Sequence, residues 1–378
     1  MKQADKNKEQ NYRQLIDRSI GDIFRDALTI SSQDPALARF LLQTGLRQKR
    51  AAEVRYKWQR QGIPVPPLMI FSVTHQCNLH CQGCYAQAQH RNRSRELGAA
   101  RFREILSEAG ELGIGITLLA GGEPLTRPEF LEIAAVFPEM IFAIFTNGLL
   151  FDEGIIRQFK TNKNLVPVIS IEGDAATTDG RRGVGTYQQI RRTLQCLQAN
   201  RIFYGVSLTA TRNNCRTITD TAFVTDLLGQ GCKLFFYVEY VPVKENTTAW
   251  VLGEAQRTEL LQATRTLRSK YPALFIAFPG DEEQFGGCLA AGRGFIHISP
   301  DGSLEPCPFS PFSDTNLERT SLKEALQSEL LATIRNNHGL LQETAGGCAL
   351  WEHREWVEGL AQSPYSSAKK LQHIVEEQ

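Results

Sequence analysis

Cys77, Cys81 and Cys84 fall within eight residues, directly after the apolar run Leu68–Val73, which reads as a buried strand. Thiolates at this spacing are metal donors. A cubane iron–sulfur cluster held by only three protein thiolates keeps one iron for another ligand, whereas a structural zinc ion fills all four positions. The chemistry to expect is therefore redox chemistry at an open iron. Other polar groups collect behind the strands that follow: Gly121-Gly122-Glu123-Pro124 after the second, Thr146-Asn147-Gly148 after the third, Ser170-Ile171-Glu172-Gly173 after the fourth and Glu239-Tyr240 after the sixth. In parallel βα architectures reactive residues gather at the carboxyl ends of the strands, so these segments should share one rim with the cysteines. Gly121 and Gly122 would allow close backbone approach, and Glu123 is a carboxylate suited to an amino group.

Strand-like runs near 68–74, 115–120, 140–146, 166–172, 203–210 and 234–241 alternate with amphipathic stretches. The alternation predicts an α/β fold with a parallel sheet, open or curled into part of a barrel. Thr186 and Gln189 have the spacing of a capping box that would start one of the intervening helices. Before the first strand, Ile20, Ile23, Phe24, Ala27 and Leu28 fall at helical spacing, and Asp34-Pro35 reads as the cap and first residue of a second helix with Leu37, Phe40 and Leu41 on its buried face. The basic stretch Arg47–Arg60 reads as a solvated face. Gly62-Ile63-Pro64-Val65-Pro66-Pro67 cannot continue a helix and acts as a linker. From about residue 280 the pattern turns glycine-rich, with one hairpin expected from Phe295–Ser299 turning at Pro300-Asp301-Gly302.

The chain has 378 residues, long enough for two or three units. Lys and Arg number 42 and Asp and Glu 41, so the overall field is near neutral and favours no nucleic-acid partner. No apolar stretch approaches bilayer length, and the polar first ten residues contain no signal-type apolar segment; no membrane association and a cytoplasmic location are expected. Nine cysteines, an odd count, fit reduced thiols and metal ligation better than a disulfide framework. Of these, Cys196 and Cys232 read as packing residues.

The pattern Cys77-x3-Cys81-x2-Cys84 followed by Gly121-Gly122-Glu123-Pro124 resembles the radical S-adenosylmethionine (radical SAM) superfamily. The resemblance covers about residues 68–275 and implies a partial (β/α)6 TIM-like barrel carrying a [4Fe–4S] cluster, whose open iron chelates the methionyl amine and carboxylate of S-adenosylmethionine. It places Gly121, Gly122 and Glu123 at the methionyl amino group and Asn147 on the same cofactor-binding rim, and it makes Ser170 and Arg182 similar in placement to residues that meet the carboxylate and ribose. One position departs from the pattern. Where the family usually has an aromatic residue before the third cysteine, this sequence has Gly83, with Tyr85 following Cys84.

Farther on, Cys288-x13-Gly302-x4-Cys307 and Cys348 resemble the truncated, twitch-like relatives of the SPASM domain over roughly residues 280–361, which implies an auxiliary [4Fe–4S] cluster. Its fourth ligand is open between a substrate-binding iron, His353, Glu352 and Cys215, and a zinc site or three unconnected thiols are the plainer alternatives. The expected organisation is thus a helical extension and linker (1–67), a radical SAM core (68–275), the auxiliary domain (280–361) and a tail (362–378). The resemblance implies reductive cleavage of S-adenosylmethionine to a 5′-deoxyadenosyl radical that abstracts hydrogen from substrate, with electrons from a reductase such as flavodoxin or ferredoxin. A peptide or protein is the first expected substrate and a small metabolite the alternative; a noncatalytic electron carrier is disfavoured by Gly121-Gly122-Glu123. Glu172, Glu239 and Tyr240 are the rim residues expected to handle protons.

Overall fold

A computed structural model describes residues 2–31, 34–89, 95–278, 282–341 and 348–362. Most of the expected tail lies outside these residues, as do Gly346 and Gly347. The centre is one nine-stranded sheet in the order β7-β6-β5-β4-β3-β2-β1-β8-β9. Its strands are β1 (Leu68–Ser72), β2 (Ile116–Ala120), β3 (Ile141–Thr146), β4 (Leu165–Ser170), β5 (Gly205–Ala210), β6 (Leu234–Glu239), β7 (Leu274–Phe278), β8 (Phe295–Ile298) and β9 (Leu304–Glu305). Neighbours pair in parallel except β8 with β9. The sheet curls into part of a barrel, as the alternation of elements requires. A seventh parallel strand extends the six that the sequence pattern marks out.

The expected hairpin forms as β8 and β9, and β8 lies parallel to β1 with Leu68 opposite Phe295. The C-terminal region is thereby hydrogen-bonded to the strand that carries the cysteine triplet. A buried polar chain reinforces this seam: Ser72 Oγ lies 2.8 Å from His297 Nε2, and His297 Nδ1 lies 2.6 Å from Glu305 Oε2. Ser72 and His297 are fully buried in strands, so this Ser–His–Glu series ties strands together with no access for a substrate.

Two helices precede the sheet, α1 (Lys2–Ile30) and α2 (Pro35–Arg60). Asp34 caps the second as expected, its Oδ1 accepting from Ala36 N and Leu37 N at 3.0 Å. Ala27, Leu37 and Leu41 bury against Ala143, Val166, Val168, Leu234 and Leu274. Because successive strand residues face opposite ways, this is the face opposite the one on which Phe142, Ile144 and Ile169 join the main core. The helical pair therefore packs on the inner face of the curled sheet. Arg55 departs from the solvated-face expectation, being buried and paired with Asp17 at 2.5 Å; burial lowers its pKa and the Asp17 carboxylate opposes that shift.

The outer face carries α4 (Ala99–Leu112), α5 (Glu129–Ala135), α6 (Glu153–Thr161), α7 (Ala175–Arg182) with α8 (Thr186–Ala199), α9 (Cys215–Thr219) with α10 (Thr221–Gly229), and α11 (Glu254–Lys270); the short α3 (Tyr85–Gln89) follows the cysteines. The capping box at Thr186 does not form. Gly185 is the N-cap and Asp179 reaches across instead, accepting from Gly185 N at 2.9 Å and Tyr187 N at 2.7 Å. A carboxylate fixed in the preceding helix satisfies these amides, and the Thr186 hydroxyl turns back to Arg182 O. Cys232 is buried as expected, whereas Cys196 is exposed on α8.

Candidate active site

The loop after β1 holds Cys77, Cys81 and Cys84, all half-buried, and its path is fixed from three sides. Glu96 Oε1 accepts from His75 N at 2.7 Å and from Thr74 Oγ1 at 3.0 Å. Gly122 N donates to Thr74 O and Glu123 N to Gln76 O, each at 2.7 Å. Arg181, near the end of α7, donates to Gln82 O at 3.2 Å while its own carbonyl accepts from Gln82 N at 2.8 Å.

Gly121 and Gly122 lie against the cysteine loop. A Cβ on Gly121, whose φ is +128°, would meet Thr74 O at 2.5 Å, and one on Gly122 would meet Gln76 O at 2.1 Å. The close approach is to the cysteine loop itself. Since a backbone carbonyl cannot swing aside as a side chain can, Gly122→Ala should displace Gln76 and Cys77 next to it. The expected outcome is purified protein that takes up less than about a tenth of the parent's first-cluster iron, the scale of a cost of at least 1.4 kcal/mol, while far-ultraviolet circular dichroism stays unchanged.

Glu123 is almost fully buried. Its Oε1 accepts from Thr146 Oγ1 at 2.6 Å and Leu125 N at 3.1 Å, and Oε2 accepts from Asn147 N at 2.7 Å. Burial raises its pKa, opposed by these hydrogen bonds. The carboxylate thus braces the ends of β2 and β3, and Oε2 retains acceptor capacity for one more donor. Asn147 places Nδ2 2.6 Å from Asn78 Oδ1 and 3.9 Å from Cys77 Sγ. Ser170 ends β4 half-exposed on the same rim.

Glu172 is fully buried, with Oε1 receiving Arg181 Nη1 at 2.5 Å and Arg182 Nη2 at 2.6 Å, while Oε2 has no hydrogen-bond partner among the described residues. Arg182 lies within electrostatic reach of Cys81 and Cys84. Burial raises the Cys81 pKa and Arg182 opposes it; burial likewise pushes the Cys77 thiol up to about 11. Burial thus favours the neutral thiol at Cys77 and Cys81, and binding a cluster would release their protons. Glu239 pairs with Arg257 at 2.8 Å. Arg181 was not singled out from the sequence, although its adjacency to Arg182 after a strand-four acid was the available signal.

Gly83 has φ +65°, and a Cβ there would lie 2.6 Å from both Tyr240 Oη and Trp250 Cζ3. Tyr240 and Trp250 pack with ring centroids 5.3 Å apart. Two aromatic rings from β6 and the following loop therefore occupy the space beside the third cysteine, and only glycine fits beneath them.

In the second cysteine group Cys288 and Cys307 are buried and Cys348 is half-buried, and Cys288 lies within electrostatic reach of the other two thiols. Tyr85, one residue past Cys84, packs its ring on Phe309 at 5.2 Å and lies within electrostatic reach of both Cys84 and Cys307. Cys215 is elsewhere, its Sγ 3.8 Å from Gln256 O. Among the described residues, no three His, Cys, Asp or Glu side chains converge on a single-ion position. A cubane cluster places each thiolate on a separate iron, so its donors need not share one point; the triplet's all-sulfur donors and neighbouring guanidinium fit such a cluster.

A half-barrel with three thiolate donors on the loop after its first strand and polar groups on every following strand end defines a cluster-dependent enzyme. The profile of the radical SAM superfamily matches residues 71–211. The chain is 33% identical over 332 residues to a pre-heme d1 synthase of Dinoroseobacter shibae, covering 76% of this chain and 80% of that one. It is 31% identical over 326 residues to an Fe-coproporphyrin III synthase of Methanosarcina barkeri, covering 75% and 80%. In fold it resembles Streptococcus suis SuiB in the crystal structure bound to precursor peptide SuiA, with TM-score 0.60 and 17% identity over 78% of this chain and 71% of that one. This protein belongs to the radical SAM superfamily. Membership implies a [4Fe–4S] cluster that works with S-adenosylmethionine.

Proposed function

We propose that this enzyme modifies a carboxylate-bearing tetrapyrrole by radical chemistry. Two relatives more than 30% identical over three quarters of the chain carry tetrapyrrole names, and this similarity is the observation that carries the substrate assignment. The two-helix N-terminus and the exposed cations Arg212 and Lys244 after β5 and β6 agree with a compact anionic substrate meeting the rim.

When bound, the cluster and S-adenosylmethionine supply a one-electron route to a 5′-deoxyadenosyl radical. Cys77, Cys81 and Cys84 would hold the cluster. Gly121 and Gly122 hold the cysteine loop close, Glu123 would receive the methionyl amine, and Asn147, Ser170 and Arg182 would line the remaining cofactor rim. Glu172 and Glu239, expected to move protons, are each held by arginine, so we assign them to positioning; Tyr240 keeps the proton-handling role. Electrons would come from a flavodoxin- or ferredoxin-type reductase.

The test is anaerobic reconstitution with iron and sulfide, followed by dithionite, S-adenosylmethionine and either a coproporphyrin-type tetrapyrrole or a panel of peptides. The expected result is 5′-deoxyadenosine release accelerated at least about tenfold by the tetrapyrrole, equivalent to about 1.36 kcal/mol off the activation barrier. Acceleration by a peptide alone would replace this substrate class with the one first expected from the sequence.

A further inference from the structure

Arg212 follows β5 at the end of the sheet that also carries the cysteine loop. The turn that holds it is rigid. Asn214, only 1% exposed, accepts at Oδ1 from Thr211 N at 2.7 Å and Thr211 Oγ1 at 2.9 Å, while its Nδ2 donates to Thr209 O at 2.8 Å and to Glu172 O at 2.9 Å. Because Glu172 is itself gripped by Arg181 and Arg182, and Arg181 also bonds to Gln82, the turn is braced to the segment that supports the cysteine loop.

Further bonds fix Arg212 against the loop after β6. Its N–H donates to Trp250 O at 2.8 Å, its carbonyl accepts from Gln256 Nε2 at 3.0 Å, and its Nε donates to Val251 O at 3.2 Å. Trp250 is the residue whose ring borders Gly83, next to Cys84. The guanidinium is thus rooted beside the aromatic wall of the cysteine loop, yet Arg212 stays exposed, and its Nη1 and Nη2 have no partner among the described residues.

An exposed arginine ordinarily gives up rotamer freedom when it grips a ligand. Here the Nε bond holds the side chain before any ligand arrives. What stays open is the pair of terminal nitrogens, a planar fork that matches the two oxygens of a carboxylate. Holding such a fork ready lowers the ordering cost of binding.

We propose that Arg212 anchors a carboxylate of the substrate through Nη1 and Nη2. The inference rests on the reading of the substrate as a carboxylate-bearing tetrapyrrole. The methionyl carboxylate of S-adenosylmethionine offers the same chemistry, and the measurement separates the two sources.

The test is equilibrium binding to the full chain, anaerobically reconstituted and kept without reductant so that no turnover intervenes. A coproporphyrin-type tetrapyrrole is titrated and followed by its Soret band, and S-adenosylmethionine is titrated separately by calorimetry. Arg212→Gln is expected to raise the tetrapyrrole Kd about tenfold or more, the scale of a hydrogen bond to a charged group, and to leave the S-adenosylmethionine Kd within about twofold. The bonds to Trp250 and from Gln256 belong to the Arg212 main chain, so they survive the substitution. Arg212→Lys, with the charge but not the fork, should bind the tetrapyrrole more weakly than the parent and more tightly than Arg212→Gln. Arg216→Gln removes an equal charge from a side chain that is 88% exposed on α9, and it should bind the tetrapyrrole as the parent does.

An unchanged tetrapyrrole Kd in Arg212→Gln overturns the proposal. So does loss of S-adenosylmethionine binding in the same proportion, which gives the fork to the methionyl carboxylate, and so does an equal loss in Arg216→Gln, which reduces the effect to the general field. Parent-like binding by Arg212→Lys shows that a point charge suffices and overturns the two-point anchor. Should Arg212→Gln yield no folded protein, Arg212→Lys decides: weakened tetrapyrrole binding with S-adenosylmethionine binding intact supports the anchor. A parent that binds no tetrapyrrole overturns the substrate reading itself and this anchor with it, whereas a parent that binds and an Arg212→Gln that binds equally well sink the anchor alone.

Discussion

Replacing any one of Cys77, Cys81 or Cys84 with alanine is expected to reduce 5′-deoxyadenosine formation by about a thousandfold or more, because groups that act as a unit are lost together when one is removed. In a cluster each thiolate would hold a different iron, and Cys215 offers no replacement, its Sγ lying 3.8 Å from Gln256 O. The measurement is single-turnover product formation under dithionite, paired with iron and sulfide analysis. A variant with full cleavage activity would show that this loop does not hold the reactive cluster. Serine in place of Cys81 is a useful companion, since an oxygen donor beside Arg182 keeps the charge arrangement while changing the ligand.

Cys307→Ala separates the two sites. The expected outcome is S-adenosylmethionine cleavage within about twofold of the parent, and substrate turnover lowered by about a hundredfold or more. The contrast is informative because Tyr85 lies between Cys84 and Cys307: the sites are neighbours, so a merely structural role for the second would reach the first. Equal loss of both activities would assign the second group to architecture. Comparing cleavage with and without substrate on one preparation distinguishes the outcomes.

Much of this is legible in the sequence because the chemistry lies in local spacing. The cysteine triplet, Gly121-Gly122-Glu123 and the strand ends are each short segments, and the βα alternation dictates that they share a rim. The Asp34 cap was legible for the same reason. What spacing could not reveal was long-range pairing. Asp179 displaces the local Thr186 box because a neighbouring helix places a carboxylate nearer, Arg181 and Arg182 converge on Glu172 only after α7 folds back, and Gly122 faces Gln76 rather than open space. The strand β7 was missed because a five-residue apolar run after a helix carries no period of its own.

The α1–α2 pair bears on how reactants arrive. Ala27, Leu37 and Leu41 are seated against the amino-end half of the concave wall, so α1 and α2 fill the floor of the half-barrel. Reactants would then arrive through the opposite end, where the cysteine loop and the polar strand ends lie.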